Sequence, residues 1–263
     1  MHRIGAVSYL NTKPLIYGLE ASLPEAVLEL DLPSRLADRL RREELDVALV
    51  PSVELFQNPE WTMVSDACIA CRGPVRSVRL LFRVPPTEVT TLALDVGSRT
   101  SVVLSQILLQ QNCGCRPALL PLSMDSDFYT VNADAILVIG DRAMSVDDSA
   151  FVENWDLGEQ WVKATDLPFV FAMWVSRDDS LPERIPRALE RARDFGLENL
   201  DAICRLEAET YDLTVADCGR YLGQQLHFTF GRQEEAGLQL FQKFAREFGL
   251  ISFQNTSASL TQI

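Results

Sequence analysis

The sequence has little histidine and no long apolar run, and these absences narrow the classes of protein to which it can belong. Only His2 and His227 occur among 263 residues, so neither a Ser–His–Asp triad nor a Cys–His pair is indicated. No segment approaches the roughly 20 apolar residues of a membrane-spanning helix. The phosphate-binding patterns G-x-G-x-x-G and G-x-x-x-x-G-K-[ST] are missing. An enzyme built from this chain would work without an obvious histidine base.

Positive charge is also scarce. The 24 Lys and Arg residues face 37 Asp and Glu residues, which leaves a net charge of −13. Nucleic acids and anionic membranes bind cationic surfaces, so neither is expected as a partner. An anionic ligand would have to be held by local donors. Because Met1-His2-Arg3 leads directly into an apolar strand with no secretory segment before it, we expect a cytoplasmic protein.

The cysteines do not form a convincing metal or redox site. Cys68 and Cys71 have the C-x-x-C spacing of such sites, whereas Cys113 and Cys115 are one residue too close together to supply the second half of a zinc site. Reduced thiols that pack as small apolar groups are the favoured interpretation, and no metal is expected.

The order of apolar and polar segments predicts an α/β protein with two lobes. Strand-like and helix-like segments alternate over the first 57 or so residues, which is typical of a parallel sheet with crossover helices. We expect lobe one to contain residues 1–86 and 170–263 and lobe two residues 87–169, with Pro85-Pro86 as the first passage and 169–176 as the return. A helix is expected over 154–165 and a mobile polar tail after Ser252. A small ligand would lie in the cleft between the lobes.

Three polar turns follow predicted strands and are candidates for the lining of that cleft. Asn11 follows the first strand and precedes a helix that Pro14 can begin. Ser98-Arg99-Thr100-Ser101 places hydroxyls, backbone N–H groups and a guanidinium at a helix start, which suits an anion. Gly140-Asp141 ends another strand. Local turn and capping roles explain the same residues, so the spacing alone leaves both interpretations open.

Taken together, the motifs resemble the chorismate dehydratase family of the futalosine route to menaquinone. The resemblance extends from about Arg3 to about Leu250 and depends on the order and spacing of short motifs. These are Ser8-Tyr9-Leu10-Asn11-Thr12-Lys13-Pro14-Leu15, Gly73-Pro74-Val75-Arg76-Ser77, Ser98-Arg99-Thr100-Ser101, Ile139-Gly140-Asp141-Arg142-Ala143, Asp156-Leu157-Gly158, Trp161, and Leu167-Pro168-Phe169-Val170-Phe171-Ala172-Met173-Trp174.

The resemblance implies a two-lobed periplasmic-binding-protein type II-like fold, used by a cytoplasmic enzyme without a cofactor. The implied reaction removes water from chorismate to give 3-[(1-carboxyvinyl)oxy]benzoate. Asn11 is then the expected catalytic residue, which orients the substrate and hydrogen-bonds the departing C4 hydroxyl, while the substrate's own enolpyruvyl carboxylate can take the C3 proton. The expected substrate-binding residues are Ser77, Ser98, Arg99, Thr100, Ser101, Gly140 and Asp141. The role of Lys13 stays open.

Two other classes of protein share this fold and remain as alternatives. One is a non-catalytic solute-binding protein or sensor of a small anionic metabolite, because the fold alone does not define an activity. The other is the related enzyme that processes cyclic dehypoxanthine futalosine, which is expected to use a histidine base. The oligomeric state is not indicated by the sequence.

Overall fold

The computed structural model of the protein describes residues 2–178 and 180–251. Their strands form two sheets. The strands are His2–Val7 (β1), Ala26–Asp31 (β2), Val47–Pro51 (β3), Thr62–Cys71 (β4), Val78–Phe82 (β5), Thr91–Asp95 (β6), Ala118–Leu122 (β7), Ala135–Ile139 (β8), Glu153–Asp156 (β9), Phe169–Ser176 (β10) and His227–Thr229 (β11).

Helices connect and cover the strands. They are Lys13–Ile16 (α1), Leu19–Ser22 (α2), Pro33–Arg41 (α3), Glu54–Gln57 (α4), Arg99–Cys113 (α5), Leu157–Thr165 (α6), Arg184–Glu198 (α7), Leu200–Glu207 (α8), Val215–Arg220 (α9) and Arg232–Glu247 (α10). None of the helices in the described ranges is long and apolar enough to cross a membrane.

The six-stranded sheet has the order β11-β4-β10-β3-β1-β2. Strand β1 is parallel to β2 and β3, whereas β10 is antiparallel to both β3 and β4. Every residue of β3 and β10 is buried, which is the reason that both segments are almost wholly apolar. Strand β2 lies at the edge and has no fully buried residue, and its acidic residues Glu29 and Asp31 form ion pairs with Arg39.

The five-stranded sheet has the order β7-β6-β8-β5-β9. Strand β6 is parallel to β7 and β8, and β5 is antiparallel to β8 and β9. One buried apolar cluster contains Leu104 of helix α5, Trp174 of the six-stranded sheet and Leu80 of the five-stranded sheet. A second, smaller cluster includes Leu81 and Ile136 of the five-stranded sheet. These two sheets confirm the expected two-lobed α/β fold.

The chain passes from one sheet to the other earlier than the sequence suggested. Strand β5, which we assigned to lobe one, pairs with β8 and β9 in the second sheet. The first crossing therefore lies between Cys71 and Val78, and its assignment to Pro85-Pro86 was wrong. The return crossing precedes Phe169, where β10 begins in the six-stranded sheet.

Two further local expectations differ from the structure. Trp155 lies in strand β9 because its segment pairs with β5, so the helix expected from Asn154 begins only at Leu157. Asp156 caps that helix by accepting a hydrogen bond from the backbone N–H of Glu159 at 3.0 Å. The mobile tail expected after Ser252 lies outside the described residues.

Candidate active site

A cavity between the two sheets brings together polar side chains from both. The space between its walls, including the part open to solvent, is about 490 Å³, and clefts of this kind are where small-molecule ligands bind. Apolar side chains such as Val7, Ile69, Ile139 and Phe171 make up much of the wall. The polar side chains that line it are those of Tyr9, Asn11, Ser77, Ser98 and Ser101.

Asn11 occupies the position expected at the end of β1. A short 3-10 turn over Leu10–Thr12 follows the strand, and Pro14 lies in the first turn of α1 behind it. The Thr12 hydroxyl, which is fully buried, donates to Asn11 Oδ1 at 3.3 Å. This contact occupies one acceptor position of the amide and fixes its orientation, while the side chain still borders the cavity.

The start of α5 forms the opposite wall. Ser98 is the N-cap of this 15-residue helix and accepts from the backbone N–H of Ser101 at 3.3 Å. Its hydroxyl also donates to Ser101 Oγ at 2.9 Å. Both serines line the cavity, so the positive end of the helix dipole lies beside it. This wall can stabilise a negatively charged group.

Arg99 and Thr100 do not line the cavity, contrary to the expected substrate-binding role. Arg99 binds both oxygens of Asp38 at 2.7 and 2.8 Å and the buried carboxylate of Glu54 at 2.6 Å. Thr100 is fully buried, and its hydroxyl accepts from the backbone N–H of Val53 at 3.3 Å. Both residues follow the N-cap on the side of the helix that faces α3 and α4. Their contacts with Asp38, Val53 and Glu54 therefore hold α5 against those two helices.

Ser77 and Gly140 meet at the cavity wall near the ends of β5 and β8. Ser77 is 2% exposed, and its carbonyl accepts from Gly140 N at 2.8 Å. Gly140 has φ of +73°, and a Cβ there would come within 3.0 Å of the Tyr9 ring. Glycine is thus required twice at this position, for its backbone conformation and for the close approach of Tyr9.

Asp141 lies next to the cavity wall but is not part of the lining. Its Oδ1 accepts from the backbone N–H of Leu10 at 3.2 Å, a contact between the β8 end and the β1 end. Burial raises the pKa of this carboxyl to about 6, although the Leu10 hydrogen bond and the charge of Lys13 oppose the shift. Lys13 itself pairs with Glu207 at 2.9 Å. Asp141 thus holds two strand ends together rather than facing a ligand in the cavity.

Two tyrosines at the site were not identified from the sequence. Tyr9 lies against Gly140 and lines the cavity, and burial together with the charges of Asp95 and Asp141 raises the pKa of its hydroxyl. Tyr221 is fully buried, and interactions with Ser77 and Asn11 lower the pKa of its hydroxyl, which burial raises. In the sequence these residues look like ordinary core aromatics, because their spacing carries no signal of a site.

Neither histidine borders the cavity. His227 begins β11 and lies 3.6 Å from Glu234, and His2 begins β1. Cys68 and Cys71 are buried, and burial raises the pKa of the Cys71 thiol to about 12. Within residues 2–178 and 180–251 no cluster of three His, Cys, Asp or Glu side chains could hold a metal ion.

The cavity, the crossing strands and the two sheets together define a fold of the periplasmic-binding-protein type. The structure is similar to protein AF1704 from Archaeoglobus fulgidus, with a TM-score of 0.75, 16% identity and coverage of 95% of this chain and 98% of that one. It is also similar to the periplasmic aliphatic sulphonate binding protein SsuA from Escherichia coli, with a TM-score of 0.62, 14% identity and coverage of 100% and 94%.

The chain belongs to the menaquinone biosynthesis family, whose family model matches residues 2–247. It is 29% identical to the chorismate dehydratase of Thermus thermophilus, over 78% of this chain and 81% of that protein. It is 25% identical to the chorismate dehydratase of Campylobacter jejuni, over 94% of this chain and 98% of that protein. The family and fold expected from the sequence motifs are thereby confirmed.

Proposed function

We propose that the protein is a chorismate dehydratase, a carbon–oxygen lyase that forms 3-[(1-carboxyvinyl)oxy]benzoate for menaquinone biosynthesis. The observation that carries the proposal is the lining of the cavity. It combines an amide at Asn11 with hydroxyls at Tyr9, Ser77, Ser98 and Ser101 on walls that are mostly apolar. Two relatives that match most of the chain carry the same activity in their names.

The reaction needs few catalytic groups because its product is aromatic. The C3–H bond of chorismate breaks, its electrons form the new C3=C4 bond of the ring, and the C4–O bond breaks. The departing hydroxide takes up a proton and leaves as water. Negative charge that develops towards the ring carboxylate as the proton leaves is stabilised by fixed donors aimed at it.

The start of α5 supplies those donors in this proposal. Ser98 and Ser101 at the start of the helix bind the ring carboxylate, and the helix dipole favours its charge. Asn11 hydrogen-bonds the C4 hydroxyl, and Ser77 adds a hydroxyl on the same side. The enolpyruvyl carboxylate of the substrate removes the C3 proton, which agrees with a lining that contains no imidazole. Arg99 has no part in binding, because Asp38 and Glu54 occupy its guanidinium.

The matched variants Asn11→Ala and Asn112→Ala test the assignment of Asn11. Asn112 is exposed on α5. Loss of a preorganised donor typically costs ~100-fold or more in turnover, so Asn11→Ala should lower kcat about 100-fold while Asn112→Ala leaves it unchanged. Turnover is followed by loss of the diene absorbance and by chromatography of the benzoate product. Near-normal kcat in Asn11→Ala would remove Asn11 from the reaction.

The same assay distinguishes a solute-binding protein, which the fold also permits. Chorismate that binds, as measured by calorimetry, but stays unconverted would favour that second function. Failure to bind at all would favour the enzyme that acts on cyclic dehypoxanthine futalosine.

A further inference from the structure

Tyr221 begins an unusual piece of backbone. The helix α9 ends at Arg220, and a π-helical turn over Tyr221–Gln225 follows it. The backbone N–H of Leu226 donates to the carbonyl of Tyr221 at 3.2 Å, a bond that spans five residues. Such turns are rare and occur frequently at functional sites, because the extra residue reorients the side chains around it.

The hydroxyl of Tyr221 is buried without a conventional partner. Tyr221 is 0% exposed, and within the described residues its hydroxyl makes no hydrogen bond of ordinary distance and angle. Interactions with the side chains of Ser77 and Asn11 lower the pKa of this hydroxyl, which burial raises. A buried hydroxyl in this state costs stability.

The two side chains next to this hydroxyl are both part of the cavity lining, whereas Tyr221 is not. Ser77 comes from the crossing before β5, and Asn11 comes from the turn after β1. The Tyr221 hydroxyl therefore interacts with one side chain from the turn after β1 of the six-stranded sheet, Asn11, and one from the crossing between the sheets, Ser77.

We propose that Tyr221 is a positioning residue, whose hydroxyl orients the side chains of Asn11 and Ser77 towards the substrate. This inference depends on the proposed dehydratase function. The rigid aromatic ring sits in the core and holds the hydroxyl at a fixed point, so the amide and the serine hydroxyl lose fewer orientations when the substrate enters. Pre-orientation of this kind acts on kcat, because misplacement of a reacting geometry by about 1 Å can cost ~100-fold.

The variant Tyr221→Phe removes the hydroxyl and keeps the ring. We expect kcat to fall ~10- to 100-fold, with KM changed less than about threefold. The melting temperature should stay within about 2 °C of wild type or rise, because the lost group has no conventional partner. Tyr17→Phe is the matched control. Tyr17 packs on Phe195 with ring centroids 5.3 Å apart, away from the cavity, and this variant should leave kcat unchanged.

A double-mutant cycle tests whether Tyr221 acts through its neighbours. If it positions Ser77, then Tyr221→Phe should reduce kcat less than about twofold in a Ser77→Ala background, since the group to be positioned is gone. Independent effects, in which the two losses multiply, would overturn the proposal. So would a kcat of Tyr221→Phe within twofold of wild type, or a loss of kcat that accompanies a melting temperature lowered by several degrees.

Failure of the inference is distinguishable from failure of the proposed function. Wild-type protein that does not convert chorismate contradicts the proposed function and the inference together. Equal conversion of chorismate by the wild-type protein and by Tyr221→Phe contradicts the inference alone.

Discussion

The Asp141 carboxyl should make the stability of the protein fall as pH rises, and Asp141→Asn should remove that dependence. Burial raises the pKa of Asp141 from the ordinary 3.8 to about 6. The folded state therefore binds a proton between about pH 4 and pH 6 that the unfolded state has already released. Protonation favours folding in that window, and the free energy of unfolding decreases as pH rises through it.

The size of the effect follows from the shift. Each pKa unit corresponds to ~1.4 kcal/mol, so a shift of roughly two units gives a difference of about 3 kcal/mol at most between pH 4 and pH 7. The amide introduced by Asp141→Asn would still accept from the N–H of Leu10 but would carry no charge. Asp141→Asn should thus be about 1–3 kcal/mol more stable than wild type at pH 7, and equal to it near pH 4. Other titrating groups cancel in the comparison, although Lys13 loses a nearby charge.

Urea unfolding followed by tryptophan fluorescence at several pH values measures this difference. Asp134→Asn is a control of opposite sign. Hydrogen bonds from Thr90 and Thr91 lower the pKa of Asp134 to about 2, so its contribution is present above about pH 4 and is lost as pH falls towards 2. Asp134→Asn should therefore be destabilised at pH 7. A difference between Asp141→Asn and wild type that does not change from pH 4 to pH 7 would refute the reasoning.

The remaining predictions concern the contacts between the sheets. Arg99→Ala should lower the free energy of unfolding by about 1–3 kcal/mol, because it leaves the buried Glu54 with fewer partners. The control Arg35→Ala, at an exposed residue, should change the free energy of unfolding by less than about 0.5 kcal/mol. Equal effects of the two variants in urea titrations would show that the ion pair between Arg99 and Glu54 does not stabilise the fold. Gly140→Ala should lower turnover ~10-fold, because the added Cβ displaces the Tyr9 ring. The control Gly114→Ala is also at positive φ but in open space, so it should lower the free energy of unfolding by about 1–2 kcal/mol and leave turnover unchanged. Equal turnover of the two variants would count against a role for the contact between Gly140 and Tyr9.

Local sequence patterns predicted the individual strands and helices of this fold better than they predicted which strands pair with one another. The alternation of strands and helices before Gln57 and the apolar segment 169–176 came from burial on both faces, which is visible in composition. The sheet to which Val78–Phe82 belongs depends on pairing with residues about 60 and 75 positions away. No local pattern shows which sheet this strand joins. Trp155 was wrongly assigned to a helix because its pairing with Leu80 of β5 is also long-range.

The candidate site was predicted in part for similar reasons. Strand ends and helix starts are visible in sequence, and Asn11, Ser98 and Ser101 do border one cavity. Arg99 looked like an anion-binding residue because its partners Asp38 and Glu54 are 61 and 45 positions away. Tyr221 was not identified from the sequence, because its spacing is that of an ordinary core residue. Whether the lining residues bind a substrate stays a prediction.

The conversion of chorismate by the wild-type protein tests the central claim most directly. Purified protein is mixed with chorismate, and the product is separated by chromatography and identified by mass spectrometry. The account predicts one molecule of 3-[(1-carboxyvinyl)oxy]benzoate and one of water for each chorismate consumed, over many turnovers per protein molecule. Chorismate recovered unchanged after prolonged incubation with folded protein would contradict it.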